Sequence, residues 1–304
     1  MFTVRNNKMM TSYFGLFIFR RGAGRAAAVA CGLAAAGALA AEPPAPDERY
    51  VRYGLTVQNT TGHVVPEAEL WVCAPLPETP FQSRLSLDVS HPHEVHDDGL
   101  GNQVLKLVFS NVPPYAVRLV TLDATLSLGE AAGRQAPDPA DWLAPGPLLE
   151  FDDEAFDRLA PAVDGTNPET AARQLFDWVR HHIQTSAYDA TDRGARYALV
   201  HQKGDCTEQA ALFAALCRRA GIPARAMGGY VVPRNAVLHP AAYHNWAEFF
   251  ADGRWHLADP LSGVWRDRGN AYVATRVIGT SDTPLGDFPR FRYRGDGIKA
   301  VMTK

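Results

Sequence analysis

The sequence predicts an α+β fold in two parts: an all-β sandwich domain over residues 48–130 and a second domain over residues 148–304. Three observations carry this. Between Tyr50 and Leu128, short stretches alternating apolar with polar are separated by turn residues. Beyond Asn167, apolar residues recur at helical spacing at Ala172, Leu175, Phe176, Val179 and Ile183. After a further helix, the stretches Met227 to Val232, Asn245 to Phe250 and Trp255 to Leu257 read as strands, and helices followed by antiparallel strands suggest α+β. The 304 residues are 46% hydrophobic and 21% charged, as expected of an ordinary folded chain.

The first 41 residues contain Arg5, Lys8, Arg20, Arg21 and Arg25 and no acid, and end in an Ala-rich stretch from Ala26 to Ala41. With small residues at Ala38 and Ala40 ahead of Glu42-Pro43-Pro44, residues 1–41 are expected to be an export signal, and the product periplasmic or secreted. The membrane is a partner only if this leader stays uncleaved. The flanks of Arg20-Arg21 are poor for a twin-arginine signal, and Ala26 to Ala30 is too short an apolar run for a lipoprotein site at Cys31. The leader holds five of the 30 Lys and Arg and none of the 33 acids, so the remainder has 25 bases against 33 acids, a balance of −8. Nucleic acid is therefore not an expected partner. Cys73, Cys206 and Cys217 remain, so one thiol cannot pair within the chain.

In the first domain the predicted strands are Tyr50 to Gln58, Leu70 to Ala74, Leu85 to Val89, Gln103 to Phe109 and Ala116 to Leu128, with turns at Asn59-Thr60-Thr61-Gly62 and Asp98-Gly99-Leu100-Gly101-Asn102. Strands at this spacing suggest a small sandwich. Residues 131–147, rich in Ala, Gly, Pro and Asp, are expected to be the linker.

In the second domain, Asp205 to Pro223 is a helix with both ends written in its residues. Asp205 is an N-cap, Glu208 completes a capping box, Arg218 and Arg219 suit the C-terminal dipole, and Gly221 and Pro223 end it. Cys206 falls on the first helical position, where unpaired backbone N–H groups and the positive end of the dipole favour thiolate over thiol. Its own N–H would face a developing oxyanion. Cys217, about three turns along, cannot bridge to Cys206 in a regular helix and reads as core, as does Cys73.

A nucleophilic thiol needs a base. His244 heads an alternating strand that runs to Phe250, and Trp255 to Asp259 reads as the return strand after a turn at Asp252-Gly253. Pairing residue 244 opposite residue 259 brings imidazole and carboxylate together, as a Cys-His-Asp triad requires.

These residues resemble the transglutaminase-like superfamily: Gly204-Asp205-Cys206 at a helix start, Gly221-Ile222-Pro223-Ala224-Arg225 ahead of Gly228-Gly229-Tyr230, His244-Asn245-Trp246-Ala247-Glu248, and Trp255 with Asp259-Pro260. The resemblance implies a papain-like catalytic domain preceded by a β-sandwich. It also implies thiol acyl transfer on peptide or protein amides, with Cys206 as nucleophile, His244 as base and Asp259 as its orienting carboxylate. The second oxyanion donor is a side chain in such folds. Gln202, Tyr188 and Tyr197 are the candidates, with Gln202 preferred. Hydrolysis is expected over protein-glutamine cross-linking, small-molecule amide hydrolysis or a noncatalytic role as an envelope peptide-binding module. Asn245 is expected to face away from the cysteine.

Trp246 and Trp255 are candidates for a substrate cleft or for the core, and Glu248 for a structural role. His91, His93, His96, Asp97 and Asp98 lie in a turn-rich stretch without a second ligand set, and His181-His182 cannot share a helix face, so no metal is expected. No cofactor is expected either. Asn59-Thr60-Thr61 is a glycosylation sequon only in a glycosylating host.

Overall fold

The structure, a computed structural model, describes residues 47–98, 100–130, 136–163, 167–189, 191–278 and 290–303. The expected export signal lies outside the described residues. Among them, no helix is long and apolar enough to cross a membrane.

The N-terminal half is a sandwich of two sheets, antiparallel except where Ala236 and Val237 pair parallel with Val51 and Arg52. In the larger, strand Asp47–Asn59 pairs with Val117–Leu128, from Asp47 opposite Leu128 to Gln58 opposite Val117, and Gln82–Val89 extends the sheet beyond. The smaller runs Phe291–Arg294, Val65–Cys73, Gln103–Val112, Glu94–Asp97. The alternation of these strands closes the core. Val51, Tyr53, Leu55, Leu122 and Leu126 from one sheet meet Leu70, Val72, Leu105 and Leu107 from the other, all buried.

Two strands come from the far end of the chain. Phe291–Arg294 pairs with Val65–Cys73, and Ile298–Met302 pairs with Leu55 to Asn59 of the first strand. The division that gave residues 148–304 wholly to the second domain is therefore corrected. The chain returns to the sandwich and covers a stretch of strand edge that would otherwise be open. Residues 131–135 of the expected linker lie outside the described residues. Trp142, later in that segment, is 4% exposed and packs under the guanidinium groups of Arg218 and Arg225, so this part of the connection is docked on the second half.

The second half packs helices α1 (Glu154–Leu159), α2 (Pro168–His182), α3 (Gly194–His201) and α4 (Cys206–Arg219) with a five-stranded antiparallel sheet. Its order is Val264–Asp267, Arg254–Asp259, Tyr243–Ala251, Ala224–Val231, Tyr272–Ile278. Helix α2 starts where predicted, the Asn167 side chain accepting from the N–H of Thr170 at 2.9 Å. Helix α4 is buried from Thr207 to Arg218, and its alanines Ala210, Ala211, Ala214 and Ala215 keep it slim enough for sheet and helices to close around it. Ala247, Phe249 and Ala251 of the central strand join its core, whereas Trp246 packs on the other side with Met227, Trp255 and Tyr272.

Arg225 and Glu248 stand directly opposite in adjacent strands. Glu248 Oε2 accepts from Arg225 Nε at 2.8 Å and Nη2 at 2.6 Å, with the side chains 4% and 2% exposed and the guanidinium over the rings of Trp142 and Trp255. Glu248→Ala is expected to strand this cation and lower unfolding stability by about 3–5 kcal/mol, whereas the double change Arg225→Met, Glu248→Leu should cost far less. Urea denaturation of both variants checks this.

Candidate active site

Cys206 is positioned by the helix cap predicted for it. The Asp205 side chain accepts from the N–H of Thr207 at 2.8 Å, and Glu208 accepts from the N–H of Asp205 at 3.1 Å, completing the capping box. The motif glycine has a physical reason. A Cβ on Gly204 would lie 2.4 Å from Glu208 Cβ, so only glycine lets the capping side chain fold back beneath the loop. Asp205 also accepts from the N–H of Asp189 at 3.1 Å, and Glu208 from that of Arg193 at 2.9 Å, which ties the preceding loop to the helix start.

His244 and Asp259 meet as expected, His244 Nε2 lying 2.7 Å from Asp259 Oδ2, but not by the expected pairing. The ladder runs Ala247 opposite Ala258 to Ala251 opposite Arg254, around a two-residue turn in which Asp252 and Gly253 both have positive φ, 50° and 76°. That register sets Asp259 beside Trp246 rather than His244. The predicted register was wrong by two residues, which keeps every side chain on its face, and the contact becomes a diagonal one that a long side chain can span.

Asp259 is fully buried. It accepts from the Tyr272 hydroxyl at 3.1 Å through Oδ2 and from the N–H of Ser262 at 3.0 Å through Oδ1. Burial favours its neutral form, but the hydrogen bond and charge of His244 outweigh this and lower its pKa. For His244, burial opposes the charged ring, yet the bond to Asp259 and the adjoining Cys206 side chain raise its pKa to about 9. With Nε2 committed to Asp259, Nδ1 is the ring nitrogen left to serve the thiol.

Asn245 is a correction. Instead of facing away, its Nδ2 donates to Thr207 Oγ1 at 2.6 Å and lies 3.7 Å from Cys206 Sγ. The strand alternates, and residue 245 shares the parity of Ala247 and Phe249, which pack in the core built around α4.

Cys206 and His244 line one cleft of about 490 Å³, with Ser186, Tyr188, Asp205, Pro240, Ala241, Tyr243, Leu261 and Arg290. Of the three oxyanion candidates, the structure brings only Tyr188 to this cleft. Gln202 is an exposed C-cap with left-handed φ of 51°, and Tyr197 takes a hydrogen bond from Arg193 and rests against His201. Trp246 and Trp255, 1% and 3% exposed, belong to the core. Trp246 meets Tyr272 edge to face at 5.0 Å and so backs the tyrosine that holds Asp259. Sequence reasoning missed Tyr272, Asn245 and Arg290. Alternation could have found Asn245, but nothing local marks the other two.

Cys73 and Cys217 are buried, which pushes their thiols up, Cys73 to about 12 and Cys217 well above its ordinary value. Cys206 is the partly exposed thiol among the described residues. His91, His93 and His96 make local contacts with Ser90, the His91 carbonyl and Glu94, and no cluster among the described residues could hold a metal ion.

Residues 157–260, the span holding Cys206, His244 and Asp259, match the family model of the transglutaminase-like superfamily. A 100-residue segment is 31% identical to the kyphoscoliosis peptidase of Homo sapiens, covering 30% of this chain and 15% of that protein, a small part of its length. Among solved structures, a candidate cysteine protease from Cytophaga hutchinsonii aligns over 86% of this chain and 91% of its own, with TM-score 0.52 and 18% identity, a likeness of fold. A candidate protease from Parabacteroides distasonis aligns over 77% and 48%, with TM-score 0.32 and 16% identity.

The raised pKa of His244 fixes a sign for stability against pH. Protonated His244 is better held in the folded than in the unfolded chain, so its contribution is complete below its ordinary 6.5 and lost as pH rises through about 9. Wild type should therefore lose about 1–3 kcal/mol of unfolding free energy between pH 6 and 10 that His244→Gln does not lose. Urea titrations at the two pH values measure the difference.

Proposed function

Taking residues 157–260 as a transglutaminase-like domain, we propose that this protein is a thiol-dependent acyl-transfer enzyme that hydrolyses peptide or protein amides through Cys206, His244 and Asp259. One observation supports this above the others: the partly exposed thiol of Cys206 lines the same cleft as a histidine that is hydrogen-bonded to a fully buried carboxylate. In the proposed reaction Cys206 Sγ attacks the amide carbonyl and forms a C–S bond. The C–N bond then breaks as the His244 imidazolium gives its proton to the leaving nitrogen. Water, giving a proton back to His244, attacks the thioester and releases the acid and the thiolate.

Asp259, held by Tyr272 and Ser262, keeps the ring oriented and stabilises its charge. The Cys206 N–H is the proposed first oxyanion donor. Asn245 Nδ2, already 3.7 Å from Sγ, is a proposed donor to the sulfur as charge grows and shrinks on it. On this reading the leader directs the enzyme out of the cytoplasm, where it meets its substrate.

Alkylation of the purified protein with iodoacetamide from roughly pH 4 to 9, followed by intact mass, tests the premise. Cys206 should label fast well below the range of an ordinary thiol, and His244→Ala should abolish that advantage. Labelling no faster than an ordinary thiol would sink the enzyme reading in favour of a peptide-binding module. With peptide amides as substrates, Cys206→Ala should lose activity by at least ~10³-fold and Asn245→Ala by about 10- to 100-fold. An added primary amine that appears in the product would replace hydrolysis with cross-linking as the second step.

A further inference from the structure

The cleft that holds Cys206 and His244 is mostly apolar, with Leu261, Pro240, Ala241 and the rings of Tyr188 and Tyr243 among its walls. It also presents the side chains of Asp205 and Arg290, and they differ in how far they are already engaged. Asp205 has one oxygen on the N–H of Thr207 and the other on the N–H of Asp189, so its charge is spent on holding backbone. Among the described residues, the partners that hold Arg290 are neutral. Its Nη1 donates to the Pro240 carbonyl at 3.0 Å, and its guanidinium lies 5.5 Å from the centre of the Tyr243 ring. Its backbone is fixed as well, the Arg290 carbonyl accepting from the N–H of Cys73 at 2.9 Å just before the strand Phe291–Arg294.

A guanidinium that among the described residues is anchored by a carbonyl and a ring, rather than by a carboxylate, keeps its charge and its forked donors for a ligand. In an apolar surround that charge acts at low screening. Tyr243, the ring it covers, is the residue before His244. We infer that Arg290 is a carboxylate-binding position of the cleft, so that the favoured acyl donors are peptides carrying a carboxylate close to the bond attacked. This rests on the reading that Cys206 is the reactive thiol. The carboxylate is either an acidic side chain or the free end of the peptide, and both offer the same two oxygens to the guanidinium.

Iodoacetate and iodoacetamide differ by one carboxylate and report on the same sulfur, so the ratio of their alkylation rates at Cys206 isolates anion binding from thiol reactivity. Rates are measured on the full chain by intact mass, with Cys206→Ala identifying the site. The iodoacetate-to-iodoacetamide ratio should fall about tenfold in Arg290→Gln, equivalent to about 1.4 kcal/mol, and recover at least in part in Arg290→Lys. An unchanged ratio in Arg290→Gln, with iodoacetamide still labelling fast, overturns the carboxylate position and leaves the thiol reading standing. Slow labelling by both reagents in wild type overturns both.

Two peptide series then separate the sources. One is C-terminally amidated with an internal Glu or Gln, and the other is neutral with a free or amidated C-terminus. The series whose acidic member protects wild-type Cys206 from iodoacetamide better than its neutral member, with that advantage lost in Arg290→Gln, identifies the carboxylate that is read. Equal protection within both series counts against the inference.

Discussion

Helix α4 is buried from its second residue almost to its end, and its first residue is left at the margin of a cleft. The rest of the site depends on that constraint. A helix enclosed so completely must be slim, which its four core alanines provide, and its unpaired N-terminal N–H groups must be met where water is scarce. The capping box of Asp205 and Glu208 meets them, and the same two carboxylates reach back to the N–H groups of Asp189 and Arg193. One set of hydrogen bonds thus fixes the helix start and the loop beside it, and with them the position of Cys206, whose thiol is met in turn by Asn245 Nδ2 at 3.7 Å.

The sheet supplies the other half of the constellation by alternation. Residues 245, 247 and 249 fall to the helix side, so Asn245 reaches Thr207 and the sulfur. Trp246 falls to the opposite side and packs against Tyr272, whose hydroxyl holds Asp259, which in turn holds His244. The buried carboxylate is tolerable because each oxygen has a donor and a cationic imidazole lies beside it. The tryptophan of the motif therefore reaches Asp259 only indirectly, through a ring contact and a hydroxyl.

What was legible in the sequence was local. The caps of α2 and α4, the alternating strands and the small chain of residues from Gly204 to Cys206 have causes a few residues away, and the structure contains them where they were read. The register of Tyr243–Ala251 against Arg254–Asp259 was misjudged by two. The turn takes Asp252 and Gly253 alone, and the pattern constrains parity far more tightly than offset. Gln202 was the preferred oxyanion candidate, but it ends α3 in a left-handed conformation on the exposed side. Tyr272 and Arg290 were invisible because tertiary packing brings them to the site from 66 and 84 positions beyond Cys206.

The two halves were read as two domains joined by a linker, and their contacts tie them closely together. The outer edge of Tyr272–Ile278 is closed by the sandwich through buried amides. Gln82 exchanges hydrogen bonds with both backbone groups of Ala274, Asn102 does the same for Val277, and the N–H of Leu76 donates to the Ala274 carbonyl. Pulling the halves apart would expose these strand groups and the apolar cluster that joins Tyr230, Val232 and Val273 to the sandwich core. Tyr272 lies on this same strand and holds Asp259, and Arg290, just ahead of the sandwich strand Phe291–Arg294, lines the cleft. The sandwich is therefore structurally part of the site: it closes the edge of the strand that orients Asp259, and its returning chain brings a guanidinium to the wall beside His244.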